Sequence, residues 1–324
     1  MRGKARVNTS SKNKKKSGGF DFQPFVKPAL IAGGAIVVLA ILVGVAIWLR
    51  TLEPVEAFIR KYPGQSEANA VETGLPAWLG WQHFLNAFFM LLIIRTGILV
   101  RTTQRPQGHW TRNNKGLIKT KGAPKKISMN LWIHFVFDAL WVLNGIVFYI
   151  LLFSTGQWRR IVPADWDIFP HAVSSALQYA SMNWPAEMGW TNYNGLQVLS
   201  YFLVVFVAAP LSLLTGLRMS NIWPEDAKIN KFYPAPVARA IHFPTMVFFL
   251  AFIAVHVTLV FVGSVVAGHG LGGNLQHMYA ASDDNQLLGF IMFAVSIVVM
   301  VAGWFLARPV FLTPLANMFG KVSR

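Results

Sequence analysis

Four of the eight histidines in this 324-residue chain stand inside long apolar runs: His83, His134, His242 and His256. The last two share the run Arg239-Ala-Ile-His242-Phe-Pro-Thr-Met-Val-Phe-Phe-Leu-Ala-Phe-Ile-Ala-Val-His256, fourteen positions apart. On a helix that spacing returns to within about 40° of the starting direction and rises roughly 21 Å. One helical face therefore presents two imidazoles, one toward each side of a bilayer. Ionisable residues inside a membrane span are functional by default, and imidazole is a common axial ligand of haem iron. The spacing points to a post carrying two haems, and the rest of the chain has to supply two more ligands at matching depths.

The elements that would position them are membrane helices. Hydrophobic residues make up 54% of the chain and charged residues 13%. That is the balance of an all-α, polytopic membrane protein. Six apolar stretches, about 29–49, 79–100, 131–153, 196–217, 240–266 and 287–307, are each near the length that crosses ~30 Å of hydrocarbon. The first ends at Trp48-Leu49-Arg50 without a small-x-small cleavage pattern, so it reads as an uncleaved anchor. Ahead of it, residues 1–28 are basic and lack an apolar period, as expected of a disordered tail lying against anionic lipid. Residues 29–310 then form the membrane domain, and 311–324 a short C-terminal tail. Zero cysteines exclude disulfides, thiolate-held iron–sulfur clusters and covalent haem attachment in this chain.

The net charge of +16 is a topology signal and not a nucleic-acid footprint, because it falls in the tail and in loops beside the spans. Residues 101–126 carry eight Lys and Arg and no acid, whereas 268–286 carry no Lys or Arg. The positive-inside rule puts both termini in the cytoplasm of a multi-pass protein of the cell membrane. Its second span then runs inward and its third and fifth outward. His83 and His256 fall near the outer side, His134 and His242 near the inner side.

Two further residue types fit that arrangement. Gly97, fourteen after His83, and Gly145, eleven after His134, lie on nearly the same faces as those histidines and offer walls without side chains to a porphyrin. Arg239, three before His242, is the candidate partner for an inner haem propionate, with Arg95, Arg101 and Arg218 as other candidates. Asp138, one turn after His134, is a candidate for that ligand's free ring nitrogen or for a polar packing contact.

The four positions give the chain a resemblance to the di-haem cytochrome b subunits of formate dehydrogenases, nickel–iron hydrogenases and thiosulfate reductases, in the bacterial cytochrome b561-like superfamily. Those proteins carry one His early in each of the first two helices of a four-helix core and two on the fourth. His83, His134, His242 and His256 match them within about residues 75–265. The resemblance implies two non-covalent, bis-His b haems and electron transfer between a quinone pool and a catalytic oxidoreductase subunit. The extra span before the core and the one after it turn that core over in the membrane relative to those enzymes.

The chain by itself is an electron-transfer subunit, since nothing in it reads as a flavin, nicotinamide or molybdenum site. A partner would dock on the outer face, where 154–194 carries Trp158, Trp166, Trp184 and Trp190. Expected partners are that catalytic subunit, quinone and membrane lipid, with no nucleic acid. Competing functions are a transporter relaying protons through its histidines and a haem-free anchor; the first expects acids within spans, where Asp138 is the clear case. Of the other histidines, His109 reads as solvated in a basic loop, His171 belongs to the outer segment, and His269 and His277 flank a glycine-rich outer loop.

Overall fold

The computed structural model describes residues 23–115, 124–184, 190, 192–224, 226–266, 268, 270 and 272–323. In chain order its elements are α1 (Gln23–Arg50), α2 (Glu53–Lys61), α3 (Ala77–Thr102), β1 (His109–Arg112), β2 (Lys126–Ser128), α4 (Met129–Ser154) and α5 (Ile168–Ala180). There follow α6 (Gly195–Met219), α7 (Ala235–Val266), α8 (Gly273–Ala280), α9 (Gln286–Leu306), α10 (Pro309–Phe319) and β3 (Gly320–Ser323). Six helices among the described residues, α1, α3, α4, α6, α7 and α9, are long and apolar enough to cross a membrane. This is an all-α, multi-pass membrane protein.

Polar residues set where several spans begin. The Ser128 hydroxyl accepts from Leu131 N at the start of α4, and Asn285 accepts from Leu288 N at the start of α9. Asn194 and Gln197 form a reciprocal capping box at α6, satisfying backbone donors that hydrocarbon could not. Helix α1 starts at Gln23, so residues 23–28 are helical and not part of a tail; residues 1–22 lie outside the described ones. Apolar residues on all sides of α1 leave it exposed along its length, and it meets α2 and α5 near one end.

Helices α3 and α4 pack closely on each other, as do α6 and α7, whereas the two pairs meet chiefly through side chains. Between the pairs lies the bundle interior that holds the four histidines. Both α6 and α7 contain a π-helical turn, at Leu203–Ala208 and Leu259–Gly263. Such turns release carbonyls from the helical ladder. Two are met by neighbours: Tyr149 donates its hydroxyl to Val205 O at 2.6 Å, and Asn274 Nδ2 donates to Val260 O at 3.1 Å.

Residues 309–323 form a short helix and a strand. Helix α10 is too short to span, and β3 pairs antiparallel with β1, which pairs on its other edge with β2. Trp110 Nε1 donates to Ala316 O at 2.9 Å, and Trp110, Met129, Trp132, Ile133 and Ala316 make one buried cluster. At Gly320 a Cβ would overlap the Trp110 ring and the Thr111 carbonyl, so glycine is required where β3 crosses the tryptophan. A period-2 strand of four residues after an amphipathic turn carries too little pattern to be read alone; its pairing partner lies about two hundred residues earlier.

Candidate functional site

The bundle brings the four histidines together in the two pairs that their depths require. His83 on α3 and His256 on α7 have ring centroids 6.0 Å apart at 53°. With a metal–imidazole bond of about 2 Å, two rings sharing one ion would place their centroids at roughly this separation. The Phe252 ring stacks on His256 at 5.6 Å and 8°, and Tyr201 meets it edge-on at 6.3 Å. Tyr279 of α8 meets His83 edge-on at 6.0 Å. His83 Nδ1 is buried and has no hydrogen-bond partner among the described residues. A buried imidazole with an unpaired nitrogen, beside a second imidazole at this separation, is a donor set that a metal cofactor completes.

At the other end His134 of α4 and His242 of α7 lie close enough to interact electrostatically. Each is held by a threonine on the neighbouring helix of its own pair. Thr96 Oγ1 lies 3.0 Å from His134 Nδ1, and Thr215 Oγ1 lies 2.8 Å from His242 Nδ1. The proton of each hydroxyl is already committed to a backbone carbonyl one turn back, Leu92 O or Leu211 O, both at 2.7 Å. The oxygen is then an acceptor, and the histidine must donate from Nδ1. That tautomer leaves the Nε2 lone pair free on each ring, which is the state a ligand to iron needs.

The residue after each threonine is a glycine, and both face the same imidazoles. A Cβ on Gly97 would come to 3.2 Å from His134 Cε1, and one on Gly216 to 3.5 Å from His242 Cε1. Thr96-Gly97 and Thr215-Gly216 are thus one device used twice: the hydroxyl fixes the tautomer and the glycine makes room for the ring. Thr-Gly occurs four times in the sequence, at 73–74, 96–97, 155–156 and 215–216, and the second and fourth stand within apolar spans; that placement is the signal by which these residues could have been found. Gly97 thus lies at the depth of His134, beside the edge of that ring. A Cβ on Gly145 would meet nothing within 4 Å, so open space lies beside it.

Asp138 does not take the free nitrogen of His134, because Thr96 occupies it. Its Oδ2 stands 3.6 Å from Nε2, on the other side of the ring and beyond hydrogen-bond length. Arg239 is exposed and lines a cleft of about 250 Å³ with Arg218, Lys125, Asn221 and Trp223. Arg218 donates to Tyr233 O at 2.6 Å and lies over the Trp223 ring. Arg95 is turned toward α9, donating to Ala307 O at 2.7 Å and lying over Trp304. Arg101 lies over Phe243, 4.1 Å from its centroid.

Two of the remaining histidines, His109 and His277, depart from their expected settings, and His171 lies in the outer segment as expected. His109 lies in strand β1. His171 is buried in α5 and accepts from Gly64 N at 3.2 Å. His277 is buried in α8, stacked on Trp190 at 5.1 Å. The glycine-rich stretch was expected to be a loop, but from Gly273 it is this helix, wedged against α3 and α9; His269 lies outside the described residues.

The family model for prokaryotic cytochrome b561 matches residues 74–269. No curated protein matches, and no solved structure does. The matched segment begins just before α3 and ends just after α7, so it contains all four paired histidines together with Thr96-Gly97 and Thr215-Gly216.

Proposed function

The chain belongs to the prokaryotic cytochrome b561 family, and from that premise we propose that it is a di-haem b-type cytochrome passing electrons across the membrane between a quinone pool and a partner oxidoreductase subunit. Membership makes it a membrane cytochrome b of electron transfer. The haem number, the ligands and the two redox partners are our reading.

The observation that carries it is the pairing of histidines in a bundle whose two helix pairs leave side chains, not backbone, between them. His83 and His256 would hold one haem, and His134 and His242 the other. A haem held by those histidines would supply one-electron chemistry. Thr96 and Thr215 hold His134 and His242 in the ligating tautomer. Phe252, Tyr201 and Tyr279 exclude water around the other pair. Arg239 and Arg218 would meet the carboxylates of the His134-end group, in a cleft whose cationic lining suits them. By the positive-inside rule His83 and His256 stand near the outer face and both termini in the cytoplasm, with the catalytic partner on the outer face.

The visible spectrum of the purified protein tests the reading. Reduced b-type bands, with pigment extractable by acid acetone, are expected. A colourless protein would leave the proton-relay and anchor readings and remove this one.

A further inference from the structure

Outside the matched family segment, helix α8 is driven between α3 and α9 by two close approaches. A Cβ on Gly80 would strike the Met278 carbonyl, and one on Gly289 would come to 2.6 Å from the Gln276 backbone. Their absence of side chain lets α8 reach the bundle and close the end of a crevice of about 310 Å³. Trp81 and Phe84 line one side, Met278 and Tyr279 the end, Val295 and Ser296 the other side. That volume is at the small end of the range for small-molecule sites.

The lining specifies the ligand class. Trp81 is 61% exposed and Val295 53%, both on membrane spans, so the mouth opens on lipid and an occupant arrives from the bilayer. Three aromatic rings and two methionine side chains suit a flat ring. No Lys, Arg or His lines the crevice, so nothing there would hold a phosphate or carboxylate headgroup. Two hydroxyls are present. Tyr279 makes no hydrogen bond among the described residues, and Ser296 donates to Met292 O at 2.7 Å, which leaves its oxygen as an acceptor. One donor and one acceptor on an apolar wall match a ring bearing carbonyl or hydroxyl oxygens. Tyr279 also meets His83 edge-on, so a ring against it is one side chain from a proposed haem ligand.

We infer that this crevice binds the headgroup of an isoprenoid quinone. The inference deepens the electron-transfer reading and rests on it.

The test uses the haem-loaded protein in lipid nanodiscs and azido-substituted benzoquinone and naphthoquinone probes with short prenyl tails. After illumination, the label should map to residues 77–84, 278–281 or 292–299 and be displaced by unlabelled quinone. Val295→Trp, which fills the mouth from a lipid-exposed position, should cut labelling at least about ten-fold. Tyr279→Phe, which keeps the ring, should raise the quinone concentration for half-protection about five-fold, the loss of one neutral hydrogen bond. Label elsewhere, label unchanged by Val295→Trp, or label displaced by phospholipid and not by quinone overturns the site. Reduction of the haem bands by short-chain quinols is followed in the same samples. If quinol reduces the wild type while the label lies elsewhere, the site is wrong and the electron-transfer reading stands. If quinol reduces no haem, both fall.

Discussion

Replacing Thr96 by valine removes one hydroxyl at almost constant volume, from a side chain that is 1% exposed and 3.0 Å from His134 Nδ1. Two bonds are lost, and they are unequal. The Leu92 carbonyl keeps its helical partner, so losing the hydroxyl there costs little. The imidazole N–H loses its hydroxyl acceptor and keeps only the Ile93 carbonyl nearby, a loss of about 1 to 1.5 kcal/mol. Changing a hydrogen-bond partner behind a metal ligand typically lowers metal affinity about 10- to 100-fold, or about 1.4 to 2.8 kcal/mol. The two routes overlap at about 1.4 kcal/mol, so Thr96→Val should speed loss of the His134-end haem to excess apomyoglobin about ten-fold. The other haem should be untouched. Because the hydrogen bond makes the imidazole a stronger donor and favours oxidised iron, its removal should also raise that haem's midpoint potential. Thr96→Ser should restore both properties, and Thr215→Val should reproduce the defect through His242. Haem retention and midpoint both at wild-type values in Thr96→Val would refute the tautomer argument.

His83→Ala and His256→Ala should each abolish the same haem and leave one shared surviving midpoint in a redox titration, while His134→Ala and His242→Ala leave a different one. Within a pair, the double variant should lose little more than either single, since the two residues act as one unit. Gly97→Val should displace the His134 ring, because even a Cβ would lie 3.2 Å from Cε1; the expected result is a substoichiometric haem at that end, with Gly97→Ala milder, and unchanged occupancy in Gly97→Val would show the contact to be harmless. A reporter fused after Arg324 should be active only in the cytoplasm, and one inserted within 268–286 only outside; the opposite pattern would exchange the sides of the two haems while leaving the pairing intact.

The six spans were legible because length and hydropathy suffice in a solvent that forbids unpaired backbone. The histidine pairs were legible because a fourteen-residue spacing converts directly into depth. What escaped was whatever depended on which faces of two distant helices meet. Thr96 and Thr215 look like any hydroxyl tolerated in a membrane helix until α3 is set against α4 and α6 against α7. Asp138 allowed two readings for the same reason: its one-turn spacing from His134 is real, but a spacing does not say which ring nitrogen it approaches. Helix α8 hid behind glycines that suggest a loop, yet Gly272 and Gly273 precede a turn of helix that Gly80 and Gly289 admit from neighbouring helices. The C-terminal strand escaped because β pairing is non-local.

The central claim, two b haems held by four histidines in one chain, is most directly tested by the pyridine haemochrome of the purified, fully haem-loaded protein against its amino-acid content. The account predicts two haems b per chain, all extracted by acid acetone because no cysteine tethers them. One haem per chain, none, or pigment that stays with the polypeptide would contradict it.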